Sequence, residues 1–378
     1  MITPNSFPRD LLSQPIDQRL GYFESKIVAH PHLQATYDTL LQAIRHPSGA
    51  SLIFVYGPTG VGKTTMRKRL EQHLMATAQA QSELNPGYVP VVTLEAVAPE
   101  NGKFDWKDYY RRALLALEEP LVNDKIDYRL RGIGRNADGE LMLAYTVGVP
   151  TLRYALEQCL HHRRPQAFFI DEAQHFNKVA GGRRLLDQMD ALKSLAALTG
   201  TVHVLLGTYE VLDLINLSAQ LSRRSIDIHF PRYHADRPED LVIFKNVLLT
   251  FQCHLPLPEE PDLVKHHEYL YERSAGCVGV LKDWLYQALA RSLEQDQPTL
   301  TLKDLELCAK SSQKLLRFAR EIKEGEALVE EREAQLAEFR SILGIGHEQS
   351  TRPAMPRPSA NPRANVGKRS PRRDEVGR

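Results

Sequence analysis

The stretch LIFVYGPTGVGKTTMRKRL, residues 52–70, constrains the fold more than any other part of the chain. Five apolar residues run straight into Gly57-Pro58-Thr59-Gly60-Val61-Gly62-Lys63-Thr64-Thr65, and a helical pattern follows at once. A strand that stops at a glycine-rich turn and restarts as a helix belongs in a parallel sheet, with the turn at the strand's carboxyl end. The spacing Gly-x4-Gly-Lys-Thr gives that turn a chemistry. Its glycines let backbone N–H groups wrap phosphates and Lys63 neutralises their charge. Thr64 offers a hydroxyl to Mg2+, and the helix N-terminus adds its dipole. The ligands this motif calls for are ATP and Mg2+. A purely structural glycine turn leaves the Lys-Thr pair unexplained.

A second apolar strand, Ala167 to Ile170, ends in Asp171 and Glu172. Carboxylates at a strand's carboxyl end face the crevice where α/β proteins hold ligands. There Asp171 is expected to organise the Mg2+ shell, and Glu172 to orient or activate an attacking water. A third apolar run, VHVLLG, stops at Thr208. If it lies in the sheet between the other two strands, Thr208 reaches the γ-phosphate or the water. The Arg223–Arg224 pair follows the next helical stretch, too far along to serve its own nucleotide. Arg223 is therefore expected to enter a neighbouring subunit's site, the alternative being a surface pair or an internal salt bridge.

From about 51 to 232 apolar runs alternate with amphipathic stretches, which predicts βαβ units and a mostly parallel sheet. The expected fold class is α/β, a P-loop NTPase sheet with flanking helices and a small all-helical lid. The segment NDKIDYRLRGIGRNADGE reads as a loop or hairpin inserted between elements. The predicted organisation is an N-terminal helical segment over 1–50, a nucleotide-binding core over 51–232, a helical lid over 233–312 and a long charged helix over 313–346. Residues 347–378 are rich in Pro, Arg and Ser and poor in apolar residues, the composition of a disordered tail.

Total charge excludes little, because a net +1 hides an asymmetry. Residues 352–378 carry eight Lys and Arg against Asp374 and Glu375, so the tail is at +6 and the rest of the chain at −5. A basic end suits a polyanion or an acidic partner, and equally a solubilising tail. At 378 residues with 42% hydrophobic content the chain can bury a sizeable core. It shows no run long enough to span a bilayer and no secretory signal pattern, so the expected location is cytoplasmic. Cys159, Cys253, Cys277 and Cys308 form no CxxC pair, which argues against a zinc site or a disulfide framework and for buried or neutral thiols.

In this order, GPTGVGKTT, FFIDEAQHF, LLGTYEVLDLI and QLSRRSIDIHFPRY resemble the AAA+ ATPases. More narrowly they resemble the transposon-encoded target-selection regulators of the TnsC, TniB and MuB group, over about residues 35–310. The resemblance implies ATP bound between subunits, with Thr208 as sensor 1 and Arg223 as an arginine finger. It implies a ring or filament of the chain on double-stranded DNA, and recruitment of a transposase and of target-site recruiter proteins. It matches Lys103 to the family's lysine that tracks the DNA backbone; Arg129, Arg131 and Arg135 in the inserted segment are further candidates for phosphate contact. No base-reading motif is present, so binding of low sequence specificity is expected. Where the family's lid often offers an arginine this chain has Val280, with Lys282 nearby, which implies weak or partner-dependent hydrolysis. The alternatives left open are a clamp-loader-like or secretion-type remodeller, and a nucleotide-switched scaffold with little turnover.

Overall fold

The computed structural model describes residues 6–98, 104–120, 122, 134–135, 141–142, 148–178, 183–215 and 225–343. Five parallel strands form the central sheet: β1 (Leu52–Tyr56), β2 (Val91–Glu95), β5 (Ala167–Asp171), β6 (Val202–Gly207) and β7 (Ser225–His229), in the order β2-β5-β6-β1-β7. β6 pairs with β1 through Phe54↔Leu205 and with β5 through Phe169↔Val204. The VHVLL strand therefore sits between the P-loop strand and the acidic strand, as expected.

Strands β1, β5 and β6 are buried along their whole length. That is why they read as continuous apolar runs instead of alternating ones: both faces of a parallel sheet are covered. One face carries Phe54, Phe168 and Leu205, packed with Leu114, Leu156 and Met189. Those three partners come from α4 (Trp106–Ala116), α5 (Val149–Arg163) and α6 (Arg183–Thr199). The opposite face carries Ile53, Val55 and Phe169, packed with Leu40 and Leu70. These come from α2 (Pro31–Arg45) and α3 (Lys63–Leu84). Local signals set the helix starts: Asp105 caps α4 by accepting from the Lys107 and Asp108 N–H groups at 2.8 and 3.0 Å. The short α7 (Val211–Ile215) follows β6. β3 (Gly134–Arg135), within the segment NDKIDYRLRGIGRNADGE, pairs antiparallel with β4 (Leu141–Met142) just past it.

Past the sheet the described chain is helical. α8 (Pro238–His254), α9 (His267–Ser274), α10 (Val278–Glu294) and α11 (Leu302–Leu307) share a second core around Phe244, Phe251, Leu281 and Leu285. Phe23 of α1 (Ile16–Ser25) joins this helical core, whereas α2 packs on the sheet. Thr301 and Asp304 form a capping box that starts α11. The last helix is α12 (Ser312–Ile342). Met1–Val329 makes one compact unit and Glu330–Arg378 a second, whose described part is the end of α12. The tail, 347–378, lies outside the described residues. No described helix is long and apolar enough to cross a membrane.

Candidate functional site

The turn after β1 is shaped by its glycines. Gly60 and Gly62 have φ of +73° and +117°, a region L-residues rarely occupy. A Cβ on Gly57 would stand 2.2 Å from the Phe230 carbonyl oxygen, so the backbone crossing there tolerates no side chain. Lys63 folds back over the loop and donates from Nζ to the Gly57 and Pro58 carbonyls at 2.9 and 2.8 Å. Burial pulls its ammonium down from 10.5 to about 8, against the upward pull of the Glu172 and Asp171 carboxylates and the Cys277 sulfur. Cys277 and Cys159 are themselves pushed up to about 12, mainly by burial, which keeps both thiols neutral.

Asp171 closes β5 and is 7% exposed. Its Oδ2 accepts from the Thr64 hydroxyl and from Arg67 Nε, each at 3.1 Å. Arg67 also pairs with Glu71, which in turn accepts from Thr93 of β2. The buried carboxylate is thus charge-compensated and aimed by a helix and two strands. Glu172 takes φ +54°, a left-handed turn that separates it from Asp171, and its N–H donates to Asp171 Oδ1 at 3.0 Å. Its carboxylate accepts from the Gln174 amide, and Gln174 Oε1 accepts from the Thr208 N–H at 3.3 Å. Among the described residues the Thr208 hydroxyl is buried without a hydrogen-bond partner.

Lys63, Thr64, Asp171, Glu172 and Thr208 therefore meet at the carboxyl ends of β1, β5 and β6. Among the described residues they fit Mg2+-nucleotide. A hydroxyl and a carboxylate lie side by side, the usual protein share of a Mg2+ shell. A lysine stands over the glycine turn, and a buried hydroxyl lacks a partner.

The helical lid closes on the same turn. The Val280 N–H donates to the Gly60 carbonyl at 3.2 Å. A Cβ on Gly279 would come within 2.5 Å of that oxygen, which accounts for the Gly-Val pair at the start of α10. Val280 is buried at the position expected for sensor 2. Lys282 turns to the Glu24 carbonyl instead, with Nζ at 2.6 Å. A cavity of about 220 Å3 opens beside the loop. Pro58, Thr59, Thr208 and Tyr209 line it on one side, and Ile322 and Gly325 of α12 on the other. α12 is pinned there by Arg232, which pairs with Glu326 at 2.7 and 3.0 Å.

Three contributors escaped sequence reasoning: Arg67, Gln174 and Arg232. Arg67 left one faint signal, a cation on the helix face that also carries Met66 and Leu70. Arg223, Lys103, Arg129 and Arg131 lie outside the described residues, and Arg135 falls in the short strand β3.

The family model described as an AAA domain matches residues 44–215. The match covers less than half of the chain. It begins within α2 and ends with α7, so it holds the glycine turn, Asp171, Glu172 and Thr208. Among solved structures the chain is similar to the Aeropyrum pernix ORC1 protein in complex with DNA, at 17% identity and a TM-score of 0.50, covering 76% of this chain and 68% of that one. It is also similar to Cdc6p from Pyrobaculum aerophilum, at 15% identity and 0.49, covering 76% and 69%. For the Aeropyrum pernix ORC2 protein in ADPNP–ADP complexes the values are 14% and 0.45, covering 77% and 72%. No curated protein matches. At these identities the likeness is one of fold: a five-stranded parallel sheet with flanking helices, the AAA+ form of the P-loop NTPase fold.

Proposed function

We propose that the chain is a cytoplasmic, ATP-hydrolysing AAA+ regulator of DNA transposition, which assembles on double-stranded DNA and recruits a transposase and target-site recruiter proteins. The observation that carries the nucleotide chemistry is the 3.1 Å contact of Thr64 with Asp171, beside Glu172 and the unpartnered hydroxyl of Thr208. The transposition reading rests on the motif order that resembles the TnsC, TniB and MuB group.

In this reading Gly57 to Thr65 wrap the phosphates with backbone N–H groups, and Lys63 leaves the loop carbonyls to meet the phosphate charge. Thr64 and Asp171 hold Mg2+, which, when bound, neutralises charge developing between the β- and γ-phosphates. Glu172 takes a proton from the attacking water, and Thr208 donates its hydroxyl to the γ-phosphate or to the water. Arg223 of a neighbouring copy completes the site. Nucleotide then governs whether the interface is closed. Lys103, Arg129, Arg131 and Arg135 contact DNA phosphates, so affinity falls as salt rises. Lys282, held by the Glu24 carbonyl, does not replace the lid arginine, which favours slow or partner-stimulated turnover.

The assembly claim is tested by negative-stain imaging with a non-hydrolysable ATP analogue, with and without random-sequence duplex. Rings or filaments that need nucleotide and follow the duplex are expected. Monomers under every condition would overturn the trans role of Arg223.

Lys63 supplies a further test. In the free site it is half-protonated near pH 8, and bound phosphate stabilises the charged form. Above pH 8, ATP binding is therefore expected to take up a proton and to weaken as pH rises. Calorimetry at pH 8.5 in two buffers of different ionisation heat reads the uptake. Lys63→Ala should abolish it.

A further inference from the structure

We propose that Gln174 is a positioning residue, tying the Glu172 carboxylate to the tip of β6 so that the base is aimed by what Thr208 engages. This rests on the hydrolysis reading and adds to it a link between sensor strand and base.

Gln174 is 7% exposed and sits in the 3₁₀ turn Ala173–Lys178 that follows Glu172. Its two ends do different work: Nε2 donates to Glu172 Oε2, and Oε1 accepts the Thr208 N–H at 3.3 Å. The partners fix the amide's orientation. Turned over, its oxygen would face a carboxylate and its NH2 group a backbone N–H, so both contacts would become repulsive. A neutral donor also suits the task. It orients the carboxylate without cancelling its charge, as a lysine or arginine there would.

The surroundings make room for this bridge. A Cβ on Gly207 would lie 2.5 Å from Gln174 Oε1 and 2.5 Å from Val211 Cγ2, so a side chain there would push the amide off its partners. Glu172 itself is held at φ +54° by two backbone contacts. Its N–H donates to Asp171 Oδ1 and its carbonyl accepts from the His175 N–H, both at 3.0 Å. With the main chain set, the direction of the carboxylate is the remaining freedom, and Gln174 removes it. Because the other end of the amide lies on the Thr208 N–H, a shift of the β6 tip is passed to Glu172 through one rigid group.

The test is steady-state ATP hydrolysis with Mg2+, with affinity read separately from a fluorescent nucleotide. Gln174→Ala removes the bridge, while Gln174→Glu keeps the shape and sets a carboxylate against Glu172. Each is expected to lower kcat at least about tenfold while nucleotide affinity stays within about twofold, the pattern of a base mis-aimed in an intact binding site. Gly207→Ala should lower kcat in the same way. In a Gln174→Ala background the share of that kcat loss that comes from displacing the amide should vanish and only the share from the Val211 contact remain, so the double variant should lose less than the sum of the two singles; two unrelated structural defects would instead add. Wild-type kcat in both Gln174 variants, beside an inactive Glu172→Gln, would overturn the proposal and leave the hydrolysis reading standing. Wild-type turnover in Glu172→Gln would remove that reading, and the role of Gln174 with it.

Discussion

Replacing Gly276 with alanine is expected to cost on the order of 3 kcal/mol or more of stability and to weaken nucleotide binding. Gly276 has φ +73°, and a Cβ there would stand 2.1 Å from the Tyr233 carbonyl oxygen and 3.0 Å from its carbon. Both atoms are backbone, so neither can swing aside. Tyr233 follows the exit of β7 and donates its own N–H to the Gly276 carbonyl at 3.2 Å, while the Tyr271 hydroxyl donates to the Tyr233 carbonyl at 2.9 Å. This crossing locks the end of the sheet to the helical lid. The next residues, Cys277 and Val278, start α10, whose Val280 N–H holds Gly60. Strain at 276 therefore reaches the glycine turn. Gly49→Ala is the control. Its φ is +86°, but nothing lies within 4 Å, so it should cost only about 1–2 kcal/mol. Thermal melts of the two variants should differ clearly, and equal melts would show that the crossing is soft.

Acid is expected to destabilise the fold progressively as pH falls below 6.5. Burial holds the His30, His203 and His229 imidazoles down from 6.5 to about 4. The nearby His32 adds to the effect at His30, the Thr201 carbonyl opposes it at His203, and Glu326 opposes it at His229. In the unfolded chain all three take protons near pH 6.5, whereas the folded chain resists until about pH 4. Between these values the unfolded state binds more protons, so stability falls as pH falls; above 6.5 the three contribute nothing to the slope. The combined loss by pH 4.5 is on the order of several kcal/mol. Melting temperature at pH 7.0, 6.0 and 5.0 should drop steadily. His203 is the cleanest probe, because its Nε2 is buried without a partner among the described residues and its ring packs edge-on against Phe168. His203→Leu should flatten part of the slope, and an unchanged slope would remove His203 from the account.

What the sequence made legible is what short-range rules govern. The glycine turn needs its residues at fixed offsets, and apolar strands with both faces covered declare themselves as unbroken runs, so the order β5-β6-β1 and the place of Thr208 could be reasoned out. The helices past the sheet carry apolar residues at helical spacing, a period that the sequence itself displays. What escaped depends on pairs far apart in the chain. Arg232 meets Glu326 across 94 positions, Arg67 meets Asp171 across 104 and Lys282 meets the Glu24 carbonyl across 258. No local pattern encodes those partners, because each charge alone is indistinguishable from a solvated one. Gln174 stands only two positions from Glu172, yet its role appears only once β6 brings the Thr208 N–H beside it.

The most direct test of hydrolysis at this site compares ATP turnover of the wild-type chain with that of Glu172→Gln, with Mg2+ and duplex DNA present and nucleotide binding followed in parallel. Glu172→Gln should bind nucleotide as the wild type does and lose at least about 100-fold in turnover, because the amide cannot accept the proton of the attacking water. Equal turnover in the two proteins, or none in the wild type, would contradict the account.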